Sequence, residues 1–126
     1  MTDIPVLFFG SRGWLDGSII KADLIACREE FGDRLLVVSG GAAGADAIAD
    51  ALALQLGIDR IICPANWIGR GKYAGPHRNS RMSGMNLVRA YRYRCAGISP
   101  GTDDMARKLG LISVPLIQRG FVPQSC

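Results

Sequence analysis

The sequence has few of the residues that metal centres and disulfide-stabilised folds require. It contains one histidine and four cysteines in 126 residues, and no two cysteines form a C-x-x-C pair. This composition argues against a zinc site and against a framework of disulfides. We therefore expect no metal and no bound cofactor, and we expect the cysteines to be reduced thiols, most of them small core residues.

Long apolar runs and a secretion signal are also absent. The apolar runs are no longer than a strand, so none of them predicts a membrane-spanning helix. The N-terminal Met-Thr-Asp-Ile-Pro lacks the basic start and the apolar centre of a signal peptide. These absences predict a cytoplasmic protein that makes no contact with a membrane.

The chain carries a moderate excess of positive charge, with 15 Lys and Arg against 11 Asp and Glu and a net charge of +4. This excess suits an anionic ligand and leaves nucleic acid open as a partner, although an ordinary soluble surface carries similar charge. Hydrophobic residues make up 48% of the chain, enough for one folded domain. We place this domain at residues 1–120 and a C-terminal tail at residues 121–126.

The sequence is organised around residues 35–46, Leu-Leu-Val-Val-Ser-Gly-Gly-Ala-Ala-Gly-Ala-Asp. The apolar residues predict a buried strand, the glycines predict a turn, and Asp46 marks the start of a helix. A helix start offers unpaired N–H groups, and glycine lets a phosphate approach the backbone. The pattern predicts an anion site, although a tight turn with an acid in the first helical turn would produce the same pattern.

Strands and helices alternate along the chain, which predicts a parallel sheet with helices on both faces. The predicted class is α/β, a Rossmann-like three-layer sandwich with a mainly parallel sheet of about five strands. Asp16 is predicted to cap the first helix and Gly32 to end it. Residues 68–83 have a poor pattern, which predicts an irregular loop and then a helix that begins near Pro76 or His77. The predicted strands are residues 4–9, 35–38, 60–63, 87–93 and 114–117.

The strand predicted at residues 87–93 is unusually polar, because Arg89, Arg92 and the following Arg94 alternate with Tyr91 and Tyr93. We favour a solvated edge strand or an oligomer contact as the interpretation. A basic and aromatic face for nucleic acid is the alternative.

The loops that follow the strands of a parallel sheet meet at one edge, where ligands bind in this fold class. Five motifs rich in Gly, Ser, Asp and Arg fall in or beside these loops, in order along residues 4–119. They are Gly10-Ser11-Arg12, Ser39-Gly40-Gly41-Ala42-Ala43-Gly44-Ala45-Asp46, Pro64-Ala65-Asn66-Trp67, Gly71-Lys72-Tyr73-Ala74-Gly75-Pro76-His77-Arg78-Asn79 and Ser99-Pro100-Gly101-Thr102-Asp103.

Together these motifs resemble the YspA/YpsA-related branch of the SLOG superfamily, which is common in bacterial and phage genomes. The resemblance implies a Rossmann-like domain that binds nucleotides or nucleotide-derived ligands. Related families build paired sites, so the resemblance also implies a homodimer.

The same superfamily contains the Lonely Guy phosphoribohydrolases, which carry Arg-Lys-x-x-Met before Pro-Gly-Gly-x-Gly-Thr-x-x-Glu. Arg78 and Met82 keep the first motif, and Gly101-Thr102 keeps part of the second. Met105, however, stands at the position of the catalytic glutamate, and a thioether cannot move a proton. Hydrolase activity therefore does not follow from the resemblance. The candidates for a catalytic role are Arg78, Asp103 and Asp104.

Several residue types in these motifs suit a nucleotide. An arginine at a strand end such as Arg12 can clamp a phosphate, a helix start can offer N–H groups, and a tryptophan can stack on a base. The alternatives are a surface ion pair for Arg12, solvent rather than a lid for Lys72, and core packing for Trp14 and Trp67. The predicted ligand-binding residues are Gly10, Ser11, Arg12, Ser39, Gly40, Gly41, Gly44, Asp46, Trp67, Lys72, Arg78, Asn79, Pro100, Gly101, Thr102 and Asp103.

Three functions are compatible with these residues. The first is a nucleotide-binding protein that senses, carries or sequesters a small nucleotide. The second is an N-glycosidic hydrolase that releases a base from a nucleoside monophosphate. The third is a nucleic-acid binder similar to DprA, which belongs to the same superfamily, using the basic residues 89–94.

Overall fold

The computed structural model describes residues 2–97 and 99–120, and the predicted tail at residues 121–126, with Cys126, lies outside the described residues. Five strands form one sheet in the order β3-β2-β1-β4-β5, and every neighbouring pair is parallel. The strands are β1 Ile4–Gly10, β2 Leu35–Ser39, β3 Asp59–Ile62, β4 Arg89–Tyr93 and β5 Leu116–Arg119. The helices are α1 Gly17–Phe31, α2 Ala45–Gln55, α3 Trp67–Arg70, α4 Ala74–Ser83 and α5 Pro100–Leu111, with 3₁₀ turns at Gly32–Arg34 and Gly71–Tyr73.

Apolar residues on both faces of the sheet bury it between two helical layers. Successive side chains of β1 alternate between the faces: Val6 and Phe8 pack in one core cluster, and Leu7 and Phe9 pack in the other. The first cluster includes apolar residues of α1 and α2, and the second includes apolar residues of α4 and α5. The predicted three-layer α/β architecture is therefore confirmed.

The order of the strands fixes where a ligand can bind. The chain leaves β1 toward β2 and β3 on one side, and it later crosses to β4 and β5 on the other side. Val6 of β1 thus lies between Val37 of β2 and Arg89 of β4. The order in which the chain adds strands therefore reverses between β1 and β4. A crevice opens beyond the carboxyl ends of the strands at such a point.

The predicted ends of α1 are confirmed. The Asp16 carboxylate accepts a hydrogen bond of 2.9 Å from the Ser18 backbone N–H, which caps the helix. Gly32 follows the last residue at φ = +67°, a left-handed backbone that favours glycine.

The prediction for residues 68–83 is wrong in its first part. Residues 67–73 form α3 and a 3₁₀ turn, and α4 begins at Ala74, before Pro76. Asn66 caps α3, because its side-chain oxygen accepts a hydrogen bond of 2.9 Å from the Gly69 N–H. Ile68 is fully exposed on this short helix, so no apolar periodicity marks it in the sequence.

The interpretation of β4 as an edge strand is also wrong, because β4 lies between β1 and β5. The two arginines of β4 have different partners. Arg89 forms an ion pair of 2.8 Å with Glu30 of α1. Arg92 is buried and donates to Thr102 and Asp103 at the start of α5.

The cysteines follow the predicted pattern only in part. Cys27 and Cys63 are buried free thiols, as predicted. Cys95 is also buried but is disulfide-bonded, so the prediction of a reduced thiol is wrong at this position. In the described part of the chain, no helix has the length and apolar character that crossing a membrane requires.

Candidate functional site

A cavity of about 700 Å³ opens at the carboxyl edge of the sheet, where the strand order reverses. Its walls come from the end of β1, the loop between β2 and α2, the segment from α3 to α4, and the start of α5. A volume of this size is typical of a small-molecule site. Most of the predicted ligand-binding residues line it: Gly10, Ser11, Arg12, Asp46, Trp67, Lys72, Arg78, Asn79, Pro100, Gly101 and Thr102.

Five predicted residues lie outside the cavity lining. Ser39 is buried, and its hydroxyl has no hydrogen-bond partner among the described residues. Gly40, Gly41 and Gly44 shape the loop that leads into α2 and Asp46 but do not line the cavity. Asp103 is half-exposed in the first turn of α5, and its carboxylate pairs with Arg92.

Gly44 serves the packing of two loops. Its φ is +80°, and a Cβ at this position would lie 2.3 Å from the carbonyl oxygen of Ser11. That carbonyl accepts a hydrogen bond of 3.2 Å from the Ala45 N–H at the start of α2. The glycine therefore brings the start of α2 against the loop that follows β1.

Asp46 ties the ends of two strands together. Its carboxylate accepts hydrogen bonds from the Gly10 N–H at 3.2 Å and from the Gly40 N–H at 2.9 Å. Burial raises the pKa of Asp46 to about 6, although the Gly40 N–H and the nearby Arg78 guanidinium oppose this change. The side chain thus acts as a clamp for the loops that frame the cavity.

Arg78 reaches from α4 to the same loop. Its Nη1 donates to the Gly40 carbonyl at 2.8 Å, and its Nε donates to Asn79 Oδ1 at 3.0 Å. A Cβ on Gly40 would lie 2.3 Å from this Nη1, so Gly40 is small because Arg78 and Asp46 both approach it. A guanidinium carries five N–H donors, and the remaining donors of Arg78 are available to a ligand.

Two more cations lie at the cavity. Arg12 is exposed, and its side chain has no hydrogen bond or ion pair within the described residues. The ammonium of Lys72 lies 5.3 Å from the centre of the Tyr73 ring. The surface ion pair considered as an alternative for Arg12 is absent from the described ranges, 2–97 and 99–120.

The start of α5 forms another part of the cavity wall. The Ser99 side chain makes no capping hydrogen bond to this helix, and the first N–H groups of a helix have no partner within it. Asp103 would repel an anion here, but its carboxylate is turned toward Arg92. Gly101 and Thr102 therefore present the positive end of α5 to the cavity.

Asp104 is the carboxylate of α5 that lines the cavity. Burial tends to raise its pKa, but hydrogen bonds from Lys108, Asn79 and Arg107 outweigh burial and hold the pKa below its usual value. The bond from Lys108 is 2.6 Å long. Asp104 is therefore a paired, ionised group rather than a proton donor.

The two tryptophans have different environments. Trp14 is fully buried, contacts Tyr93 with ring centres 5.6 Å apart, and donates from Nε1 to the Asp16 carbonyl. Core packing, the alternative considered for both tryptophans, applies to Trp14. Trp67 is 51% exposed and lines the cavity.

Some cavity residues were not predicted. Phe9 precedes Gly10 on β1, and Met82 follows Arg78 by one helical turn on α4. Met82 shares one face of α4 with Arg78, so helical periodicity offered a signal for it. Phe9 stands at the carboxyl end of β1, where ligands bind in this fold class, so its position in the strand offered a signal as well. Met105 is 1% exposed and supplies apolar surface at the position where Lonely Guy enzymes have glutamate.

The arginines near β4 do not form the continuous basic and aromatic face considered for nucleic acid. Arg92 is buried on the α5 side, and Tyr91 and Tyr93 are buried in the cluster of α1 and α2. Arg89 is paired with Glu30. Among the residues that the structure describes, no group of three or more His, Cys, Asp and Glu side chains is arranged to hold a metal ion.

Comparison with known proteins identifies relatives of this chain. The profile of the YAcAr family, described as the YspA, cpYpsA-related SLOG family, matches residues 4–68. The Gene 61 protein of Mycobacterium phage D29 is 34% identical over 125 residues, which cover 94% of this chain and 98% of that protein. The crystal structure of DNA processing protein A (DprA) from Streptococcus pneumoniae is similar over 92% of this chain, with a TM-score of 0.56 and 19% identity. The match spans 58% of the DprA chain, and it shows a shared fold.

Proposed function

Because the chain belongs to the YspA, cpYpsA-related SLOG family, we propose that it binds a small phosphate-bearing nucleotide in the cavity at the carboxyl edge of the sheet. Binding serves to sense, carry or sequester this nucleotide. One observation carries the proposal: the N-terminus of α5 and the guanidinium of Arg78 meet at one cavity, beside the exposed Arg12. All three are suited to an anion.

The phosphate would bind between α5 and Arg78. The N–H groups at Gly101 and Thr102 would donate to its oxygens, and the spare donors of Arg78 would bind it from α4. Arg12 would supply a second guanidinium from the loop after β1. Asp103 does not oppose this arrangement, because its charge is paired with Arg92.

The base would contact the apolar part of the cavity. Phe9, Met82 and Met105 provide buried apolar surface, and the half-exposed Trp67 offers a ring on which a base can stack. Stacking on an aromatic ring contributes about 1–3 kcal/mol per base and tolerates any base. The cavity therefore suits a nucleotide better than a free phosphate.

A hydrolase is the second candidate, favoured by one observation, the presence of the Asp104 carboxylate at the cavity. Asp103 is a weaker candidate than Asp104, since it does not line the cavity and its carboxylate pairs with Arg92. Asp104 accepts hydrogen bonds from Lys108, Arg107 and Asn79. A general acid must carry a proton to the leaving base, and an ionised carboxylate held in this way does not. We therefore favour binding over hydrolysis.

A retention assay tests the proposal and separates the two candidates. The protein is incubated with a panel of mono-, di- and cyclic nucleotides and dinucleotides, separated from free ligand, and analysed by mass spectrometry. We expect intact nucleotide on the protein and no free base in the filtrate. Free base would establish a hydrolase, and no retained nucleotide at any concentration up to the millimolar range would refute the proposal.

Substitution of Arg12 tests the assignment of the cavity. Arg12→Ala removes an unpaired cation from the cavity rim, so we expect it to abolish retention while the fold persists. Arg34→Ala is the matched control, because Arg34 precedes β2 at the opposite edge of the sheet and donates to the Thr2 carbonyl. Equal retention by the two variants would show that the nucleotide binds elsewhere.

The homodimer that the family resemblance implies is part of the proposal as well. Light scattering at micromolar concentration tests it directly. A mass of two chains supports the dimer, and the 13.5 kDa of one chain contradicts it.

A further inference from the structure

We infer that Asn79 is a positioning residue that holds Arg78 and the first turn of α5 in the geometry that binds phosphate. The inference deepens the proposed function and rests on it. Asn79 lines the cavity and was predicted to contact the ligand. Its hydrogen bonds give it a different role, because they commit the side chain to the protein on both sides.

The carboxamide of Asn79 bridges three parts of the site. Its Nδ2 donates to the Gly101 carbonyl at 3.0 Å and to Asp104 Oδ2 at 3.0 Å. Its Oδ1 accepts from Arg78 Nε at 3.0 Å. Both N–H donors of the amide are thus used within the protein, and its oxygen faces the arginine.

The partners allow one orientation of this amide. Arg78 can only donate, and the Gly101 carbonyl and the ionised Asp104 can only accept. A flipped amide would place its NH₂ against the guanidinium and its oxygen against two acceptors. Asn79 is 2% exposed, so a lost hydrogen bond here is not replaced by water and costs about 1–3 kcal/mol.

The bridge is anchored beyond Asn79 at both ends. Asp104 is held on α5 by Lys108 at 2.6 Å and by Arg107 at 3.0 Å. Arg78 continues from Asn79 to the Gly40 carbonyl at 2.8 Å. A single chain of hydrogen bonds therefore runs from α5 through α4 to the loop after β2, around the wall of the cavity.

This chain of hydrogen bonds fixes the donors that a phosphate would meet. Through its Oδ1, which accepts from Arg78 Nε, Asn79 restrains the plane of the Arg78 guanidinium and so directs the N–H groups that remain free. Through the Gly101 carbonyl, it restrains the planar peptide that also contains the Thr102 N–H. The Arg78 guanidinium and the Thr102 N–H would both donate to the phosphate. Asn79 therefore determines phosphate affinity through these two groups, without donating to the phosphate itself.

Asn79→Asp tests the inference at almost constant side-chain volume. The aspartate keeps an acceptor for Arg78 but replaces the NH₂ group, which carries both donors, with one oxygen that faces the Gly101 carbonyl and Asp104. We expect affinity for the four ribonucleoside 5′-monophosphates to fall about tenfold or more, the effect of one or two lost hydrogen bonds. Affinity for the four nucleosides, which lack phosphate, should change less than about twofold, as measured by ligand-observed NMR.

A second substitution provides the rescue. Asn79→Asp combined with Asp104→Asn places a donor on α5 opposite the new carboxylate and restores the bond between α4 and α5. We expect the double variant to recover at least part of the lost monophosphate affinity. Thermal unfolding without ligand shows whether each variant is folded.

The outcomes separate this inference from the proposed function. If the unaltered protein binds neither the monophosphates nor any other nucleotide of the retention panel, the proposed function fails and the inference fails with it. If the unaltered protein binds and Asn79→Asp binds equally well, the inference alone is overturned. Equal losses for nucleosides and monophosphates would also overturn it, because they indicate a general defect of the cavity.

Discussion

Asp46 gives the sharpest quantitative prediction, because its ionisation is coupled to folding. The carboxyl group is 4% exposed and lies where the loops after β1 and β2 meet. Burial raises its pKa from 3.8 to about 6. Folding therefore disfavours the ionised form of Asp46, even though the Gly10 and Gly40 N–H groups and Arg78 partly stabilise it.

The sign and size of the effect follow from linkage. Well below pH 3.8 the carboxyl group is protonated in both the folded and the unfolded chain, so it has no effect on stability. As the pH rises from 3.8 to about 6 the unfolded chain ionises this group while the folded chain keeps it protonated, so the free energy of unfolding decreases, and it levels off above pH 6. The difference between 3.8 and about 6 corresponds to about 3 kcal/mol.

Asp104 changes stability in the opposite direction and at lower pH, since hydrogen bonds outweigh burial and lower its pKa below 3.8, so its stabilising contribution is lost as the pH falls below that value. Asp46→Asn isolates the contribution of Asp46. We expect the free energy of unfolding of the wild type, minus that of the variant, to decrease by about 3 kcal/mol between pH 3.5 and pH 7. Urea unfolding at half-unit steps of pH measures this difference.

Carbon-13 NMR of the Asp46 carboxyl group gives an independent reading of its titration. A midpoint near 6 is expected from its burial. The assigned burial of Asp46 is incorrect if the free energies of unfolding of the wild type and of Asp46→Asn change in parallel between pH 3.5 and pH 7. It is also incorrect if Asp46 titrates near 4.

Further substitutions test the packing and the cavity. Gly44→Ala places a Cβ 2.3 Å from the Ser11 carbonyl at φ = +80°, and we expect it to lower the free energy of unfolding by at least about 2 kcal/mol. Gly110→Ala, with open space around its Cβ within a helix, should raise it by about 0.5–1 kcal/mol. Trp14→Ala should cost about 3–5 kcal/mol, because the side chain is fully buried. Trp67→Ala should leave the free energy of unfolding unchanged within about 0.5 kcal/mol and weaken nucleotide binding about tenfold. Urea titration measures the free energies of unfolding, and calorimetry measures nucleotide binding.

The strands of the central sheet were predictable because their signals are local. The apolar residues before Ser39 predict β2 within one residue of its observed end. The run that begins at Ile4 predicts β1 equally well. Alternation of strands and helices then determined a parallel sheet and the edge at which its loops meet.

The arginines of β4 were misread because their partners are distant in sequence. Arg92 is stable in the interior because Thr102 and Asp103, on a later helix, accept its hydrogen bonds. Arg89 similarly finds Glu30 on α1. Strand polarity alone cannot distinguish solvent from a buried ion pair, so the sequence predicts an edge strand.

The glycine turn after β2 illustrates the same limit within the candidate site. The pattern predicted a phosphate cradle at Gly40, but the space beside Gly40 holds the Arg78 guanidinium and the Asp46 carboxylate. Arg78 and Asp46, both predicted to bind the ligand, line the cavity. Their contact with Gly40 depends on the packing of α4, which the local sequence does not specify.

An NMR titration of the nitrogen-15-labelled protein with each nucleotide of the retention panel tests the central claim most directly. It reports binding and its location in one experiment. A nucleotide in the cavity should produce its largest shifts at the Gly101 and Thr102 amides and at the Arg78 Nε–H. Shifts centred on β3 at the far edge of the sheet, or no shifts at millimolar nucleotide, would contradict the claim.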